Sequence, residues 1–224
     1  MIDIIFQILQ VAGYLLLLVV LIVLWGKVFR RQNWRNFWMF LALAWTMNLF
    51  GNIAWVVHDL VTGTALSTFS IVDSFYVLRY VLIGIALWLY PTSLRGKSAI
   101  WMGVAAIVTG VLVWIIYFPA DGGNWVSLLG LAIYPILDAA LIVLAWFRFH
   151  VMHGTAWHKL TLILFCAMAS YGIANTVNLT EYVFSVPSGG WLQNLFWLLT
   201  DVLMLTMVLR TDLGREPKSR IEEK

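Results

Sequence analysis

Three ionisable side chains lie deep inside long apolar stretches of this sequence: Arg79, Asp138 and Asp201. Counted from the polar end of each stretch, all three lie roughly 14–17 Å in, at about 1.5 Å of helical rise per residue. A charge at that depth in a bilayer costs from about 3 to more than 10 kcal/mol if it has no partner. We therefore expect the three to turn inward and meet, with Arg79 paired to Asp138 or Asp201. One guanidinium against two carboxylates leaves an excess negative charge, which a proton or a bound cation would neutralise.

Asp73 lies on the same apolar stretch as Arg79 but does not pair with it. The two are separated by about 9 Å of helical rise and roughly 120° around the helix. We expect Asp73 at the outer mouth of a helical bundle, together with His58 and Glu181. The structural alternative to a functional charge cluster is a buried Arg–Asp group that only fixes the register of the helices.

Further polar and aromatic side chains share helix faces, because residues three, four or seven apart lie on one side of a helix. Besides the three deep charges, the side chains predicted to line a ligand-binding or charge cluster are Tyr76, Tyr80, Tyr134, Asn48, Asn52, Asn175, Asn178 and Trp197. Asparagines also hold membrane helices together, with about 0.6–2 kcal/mol per hydrogen bond, so packing is the alternative. Pro135 removes a backbone hydrogen bond three residues before Asp138, which suits either a binding site or a hinge.

The elements that must position these side chains are apolar stretches of about 20 residues, the length that crosses a bilayer. The 224 residues are 62% hydrophobic and 11% charged, and the mean hydropathy of +0.89 lies outside the range of soluble domains. The predicted spans are 4–25, 34–57, 71–90, 99–118, 126–148, 159–183 and 191–210. The sequence therefore predicts an all-α membrane protein, with a seven-helix transmembrane domain over 1–211 and a short cytoplasmic tail over 212–224.

The basic residues predict the orientation. Every Lys and Arg except Arg79 lies near the span ends of one side or in the tail, and the positive-inside rule makes that side cytoplasmic. We expect the N-terminus outside, the C-terminus in the cytoplasm, and insertion in a bacterial cytoplasmic (inner) membrane. The net charge of +3 needs no nucleic-acid partner, because these residues also contact anionic lipid headgroups.

The chain also shows signs of an internal repeat. The stretch at 14–25 resembles that at 134–146, and one i, i+3, i+7 pattern occurs in both the third and the seventh span. Its members are Asp73, Tyr76 and Tyr80 in the third span, and Asn194, Trp197 and Asp201 in the seventh. This predicts parallel three-helix repeats joined by the fourth span, although chance similarity between apolar helices is the alternative. Parallel repeats occur in transporters and also suit a receptor with a central cavity.

The residues that several specific chemistries require are absent from the sequence. No span carries a lysine for a retinal Schiff base, and no two spans carry facing histidines for a b-type haem. His150, His153 and His158 share one loop without a metal-binding spacing. Cys166 is the single cysteine, so no internal disulfide forms. No Ser-His-Asp set or phosphate loop is present, and we expect neither a cofactor nor a metal.

Three segments occur in a familiar order: "IVDSFYVLRYVLIGIALW", "IYPILDAALIV" and "ANTVNLTEYVFSVPSGGWLQNLFWLLTDVLML". They resemble the multi-span sensor regions that precede GGDEF diguanylate cyclase or kinase modules in bacterial membrane proteins. The residues that correspond to the family's motifs are Asp73, Tyr76, Tyr134, Pro135, Asp138 and Trp197. The chain departs from the family in carrying Asn194 where an acid is expected and in having no output module. The resemblance therefore does not imply the family's signalling as a whole: a standalone copy would act through a partner or have another function.

Three functions remain open from the sequence. The first is a non-enzymatic ligand-sensing or signal-receiving membrane protein, or an accessory subunit, whose partners are the lipid bilayer and either a membrane protein or a small-molecule ligand. The alternative is a small proton- or ion-coupled transporter built from the 3+1+3 repeat. A membrane-embedded enzyme comes third, because no nucleophile or metal set accompanies the aspartates.

Overall fold

The computed structural model describes residues 2–30, 34–63, 70–89, 95–120, 125–155, 157–185 and 190–213, and every regular element in these ranges is an α-helix. Seven helices are long and apolar enough to cross a membrane, which confirms that part of the prediction. They are α1 (Ile2–Arg30), α2 (Arg35–Thr62), α3 (Ile71–Leu89), α4 (Arg95–Tyr117), α5 (Trp125–Val151), α6 (His158–Phe184) and α7 (Trp191–Leu213). Helix α7 continues to Leu213, so it includes the first residues of the predicted tail. The rest of that tail, 214–224, lies outside the described residues.

The second and sixth helices end at residues in the left-handed conformation. At the end of α2, Gly63 has φ 61°, and its N–H donates to the carbonyl of Asp59 at 2.9 Å. Glycine adopts this conformation without a Cβ clash, so it terminates a helix at little cost. Ser185 ends α6 in the same region, with φ 50°.

Six of the helices form a closed ring in the order α1, α2, α3, α5, α6 and α7, with α7 packed against α1. Helix α4 lies outside the ring and packs mainly against α5. Only 6% of its most apolar segment is buried, and side chains such as Trp101 and Ile107 are exposed on its surface. These α4 side chains are therefore available to lipid, whereas the inward faces of the other six helices meet one another.

One half of the ring is filled by a continuous apolar core. It contains the C-terminal halves of α1, α3, α5 and α7 and the N-terminal halves of α2 and α6. Its buried alanines let the helix backbones approach closely, as small residues do in membrane bundles: they are Ala42, Ala44, Ala86, Ala145 and Ala167. Between them pack large side chains, including Leu17, Leu24, Trp45, Leu144 and Leu164. A cavity in this half, beside Arg148 and Trp157, has a volume of ≈ 20 Å³, which is room for about one water molecule. We call this half the closed half.

Candidate functional site

In the opposite half of the ring, the same six helices enclose a cavity of ≈ 360 Å³. None of the described residues of α4 lines it. The cavity is in the size range of small-molecule sites and has the mixture of aromatic and polar side chains that such sites use. Most of the predicted site residues line it: Asn48, Asn52, Asp73, Tyr76, Arg79, Tyr134, Asn175, Asn178, Trp197 and Asp201.

Arg79 lies at the deep end of the cavity and is only 1% exposed. Its guanidinium carbon is 3.8 Å from the centre of the Tyr171 ring and 4.9 Å from that of Trp45. Such cation–π contacts partly replace hydration. The Nε and Nη1 atoms nevertheless have no hydrogen-bond partner within the described part of the chain. No direct ion pair joins Arg79 to Asp138 or Asp201 among the described residues, where two aromatic rings flank the guanidinium. Both carboxylates interact with Arg79 through space.

Asp201 approaches Arg79 through a shared neighbour rather than by contact. Its Oδ1 accepts a hydrogen bond from Nε1 of Trp45 at 2.9 Å. One indole thus contacts the cation with its ring face and the carboxylate with its N–H edge. Asp201 is 8% exposed and lines the cavity.

Trp45 and Tyr171, which flank Arg79, were not predicted from the sequence. Trp45 lies three residues before Asn48, and Tyr171 lies four before Asn175, so each shares a helix face with a predicted site residue. That spacing was the available signal. Tyr171 also lines the cavity.

Asp138, which was predicted to join the charge cluster, is bound by two neighbouring side chains and interacts with Arg79 only through space. It is 3% exposed and is not among the residues that line the cavity. Its Oδ1 accepts from the Tyr80 hydroxyl at 2.9 Å, and its Oδ2 accepts from Nδ2 of Asn175 at 2.7 Å. The same amide donates to the Tyr80 oxygen at 2.8 Å. This triangle of side chains joins α3, α5 and α6, and its bonds use both oxygens of the carboxylate.

Asp73 is occupied at the beginning of α3. Its Oδ2 accepts from the backbone N–H of Ser70 at 2.7 Å, while the Ser70 hydroxyl oxygen accepts from the N–H of Val72 at 3.2 Å. This reciprocal pair is a capping box, and the S-x-x-D pattern that encodes it is readable in the sequence. The other carboxylate oxygen accepts from the Tyr134 hydroxyl. Asp73 therefore starts one helix and binds a second one.

The wall between α2 and α3 is closely packed. The Tyr76 hydroxyl donates to Oδ1 of Asn52 at 2.8 Å. The Tyr76 ring lies so near the backbone that a Cβ on Gly51 would be 2.8 Å from it, so only glycine fits at that position. On its other side Tyr76 meets the Tyr134 ring edge-on, at 6.3 Å between centroids. These contacts hold the two tyrosines as a rigid wall of the cavity.

Helix α7 supplies polar groups that have no partner. The Oε1 of Gln193 and the Nε1 of Trp197 lack hydrogen bonds within the described residues, and both side chains line the cavity. Gln193, Trp197 and Asp201 are spaced four apart and share one face. Gln193 was not among the predicted residues. A buried acceptor and donor without partners are costly unless a bound molecule or water satisfies them.

Of the three predicted outer-mouth residues, Asp73 lines the cavity, whereas His58 and Glu181 do not. His58 lies near the end of α2, where its Nδ1 is 3.3 Å from the hydroxyl oxygen of Thr62. Glu181 lies in the last turn of α6, and neither residue lines the cavity. No group of His, Cys, Asp and Glu that could hold a metal ion occurs among the described residues.

The chain matches no protein-family model, no curated protein and no solved structure. Function is therefore argued from the site itself. The cavity presents a guanidinium, a carboxylate, amides and indoles to a small enclosed space. Such groups recognise and orient a polar molecule.

Proposed function

We propose that this chain is an integral membrane protein that receives a small-molecule ligand and transmits its presence to a protein partner, without chemistry of its own. The observation that carries the proposal is the division of the ring into a lined cavity and a closed apolar half. A receptor needs a pocket reached from one side and a packed body that responds to its occupation. A conduit needs a path through both halves.

The boundary between the two halves supports this reading. Leu17 lines the cavity and also belongs to the apolar core. Trp45 is a core residue whose indole holds the carboxylate of the cavity residue Asp201. A solute moving further inward would have to displace these large side chains. A ligand that stays in the cavity contacts six helices. If it binds one arrangement of these helices more tightly than another, it shifts the protein toward the arrangement that it prefers.

The predicted orientation indicates from which side of the membrane the ligand enters. The cavity lies in the half that contains the beginnings of α3, α5 and α7, away from the basic residues that flank the spans. By the positive-inside rule we assign this half to the outer leaflet of a bacterial inner membrane. The ligand then enters from outside the cytoplasm and the partner is reached from within it, as the resemblance to bacterial sensor regions implies.

Cysteine accessibility tests this assignment. In a Cys166→Ser background, Asn178→Cys and Gln193→Cys in the cavity should react with a membrane-impermeant thiol reagent added to the outer side of intact cells. Ala145→Cys, in the closed half, is the control and should stay unreactive from either side. Crosslinking in native membranes should capture a protein partner. Reaction of the cavity cysteines from the cytoplasmic side alone would contradict the proposal.

A transporter of the 3+1+3 type is the second candidate. It is favoured by the position of α4 outside a ring that α1–α3 and α5–α7 complete, because a parallel repeat needs one additional helix to restore orientation. Purified protein in sealed vesicles would then move a solute, and a pH gradient would change the rate. Flux without any partner would replace the receptor proposal.

A further inference from the structure

Some charged residues around the cavity are hydrogen-bonded to neighbouring residues at all of their charged atoms, and others are not. Asp73 and Asp138 each accept hydrogen bonds at both carboxylate oxygens from neighbouring residues. Among the described residues, Arg79 has no hydrogen-bond partner at Nε or Nη1, and Asp201 accepts one hydrogen bond, at Oδ1. The charges that remain for a ligand are therefore one guanidinium and one carboxylate.

None of the described carboxylates forms a hydrogen bond with Arg79, although Asp138 and Asp201 interact with it through space. Its side chain is 99% buried, since only 1% is exposed, and it lines the cavity. Aromatic faces stabilise a guanidinium by about 0.5–2 kcal/mol, which is less than the cost of a charge in the membrane interior. A carboxylate in the cavity would form charge-assisted hydrogen bonds with it.

Asp201 excludes a simple anion as the ligand. The carboxylate lines the same cavity and binds the indole whose ring flanks Arg79. A ligand with negative charge alone would be repelled by Asp201, and one with positive charge alone would be repelled by Arg79. The ligand that complements both groups carries both charges a short distance apart.

We propose that the cavity binds a small zwitterion of the amino-acid type, with its carboxylate at Arg79 and its ammonium group at Asp201. This inference rests on the proposed function and names the ligand class of that site. The volume of ≈ 360 Å³ leaves space for a side chain. Trp197 and Tyr134 offer that side chain aromatic surface, and Gln193 offers an unused hydrogen-bond acceptor.

The test uses the purified full chain in detergent micelles. The common amino acids are added singly at millimolar concentration, and thermal shift followed by titration calorimetry identifies the strongest binder. Its N-acetyl derivative, which lacks the positive charge, and its carboxamide, which lacks the negative charge, are then titrated. We expect each derivative to bind at least about tenfold more weakly, the loss of one charged hydrogen-bonded contact. Equal binding of either derivative would overturn the zwitterion assignment.

Two variants locate the charges. Asp201→Asn should weaken binding of the free amino acid about tenfold or more and leave binding of the N-acetyl derivative unchanged. Arg79→Gln should likewise weaken binding of the free amino acid and leave binding of the carboxamide unchanged. Asp59→Asn is the matched control, because it removes an equal charge at an exposed position that does not line the cavity and should leave the ligand preference unaltered. If a variant fails to fold, the derivative series on the unmodified chain still decides.

The outcomes separate this inference from the proposed function. If no amino acid binds, the zwitterion assignment fails. If cavity cysteines are nevertheless labelled from outside and a partner is captured, the receptor proposal stands with a different ligand. Labelling from the cytoplasmic side alone would contradict the receptor proposal, while the zwitterion assignment would still be decided by the binding series.

Discussion

Replacing Tyr80 with phenylalanine tests whether Asp138 is held by its neighbours or serves a central charge cluster. The Tyr80 ring packs near those of Tyr134 and Tyr171, at 6.2 and 6.0 Å between centroids. Phenylalanine keeps those contacts and removes only the hydroxyl. That hydroxyl donates to Asp138 at 2.9 Å and accepts from Asn175 at 2.8 Å. The substitution therefore deletes two buried hydrogen bonds and leaves no cavity larger than one oxygen atom.

The expected cost follows from the two bonds. A neutral interhelical hydrogen bond in a membrane protein contributes about 0.6 kcal/mol on average. A bond to a charged group contributes about 1.5 kcal/mol or more. Tyr80→Phe should therefore lower the free energy of unfolding by about 2 kcal/mol. In an Asp138→Asn background the same change should cost less, because the carboxylate is gone.

The assay is unfolding by SDS in mixed micelles, followed by the loss of helical circular dichroism. Tyr117→Phe is the matched control, because the Tyr117 hydroxyl forms one neutral bond with Oγ1 of Thr180 at 2.9 Å, between α4 and α6. It should cost about 0.6 kcal/mol. If Tyr80→Phe costs no more than Tyr117→Phe, Asp138 is not anchored as described.

Three further changes probe the packing, the capping and the orientation. Gly51→Ala should destabilise the protein by about 1–3 kcal/mol in thermal melts, because its Cβ would be 2.8 Å from the Tyr76 ring. Gly103→Ala is the control: its Cβ would meet nothing within 4 Å, so the change should be neutral or stabilising. Ser70→Ala removes part of the capping box and should cost about 1 kcal/mol, so an unchanged melting temperature would argue against the box. A reporter enzyme fused after the last residue should be active in the cytoplasm, and one inserted between α2 and α3 should be active outside; the reverse pattern would invert the assignment of the cavity.

The helices were predictable because a physical length defines them. Hydrocarbon thickness fixes a span at about 20 apolar residues, and no water is present to satisfy an irregular backbone. Hydropathy therefore predicted seven spans, and α1 to α7 occupy those positions. The order of helices around the ring is not a property of any one span. It depends on which faces fit together, so the exclusion of α4 from the ring could not be read from hydropathy.

The site was partly predictable for a similar reason. The cost of a charge at mid-depth predicts that Arg79, Asp138 and Asp201 are buried, and all three are. The cost of burying a charge does not predict which residue will be its partner, because hydroxyl, amide and indole groups can donate hydrogen bonds to a carboxylate as a guanidinium does. Trp45, on another helix, donates a hydrogen bond to Oδ1 of Asp201. Such a partner is found only when the distance across the ring is known.

The contact between α1 and α7 has a consequence for how the protein is made. These helices are the first and last of the seven to leave the ribosome, and their contact closes the ring. Until α7 enters the bilayer, Arg79 and Trp45 lack the Asp201 side of their surroundings, and the inner faces of α1 and α6 have no neighbour between them. The cavity is therefore absent from every shorter nascent chain. Polar faces exposed to lipid at that stage would favour binding by membrane chaperones until α7 is inserted.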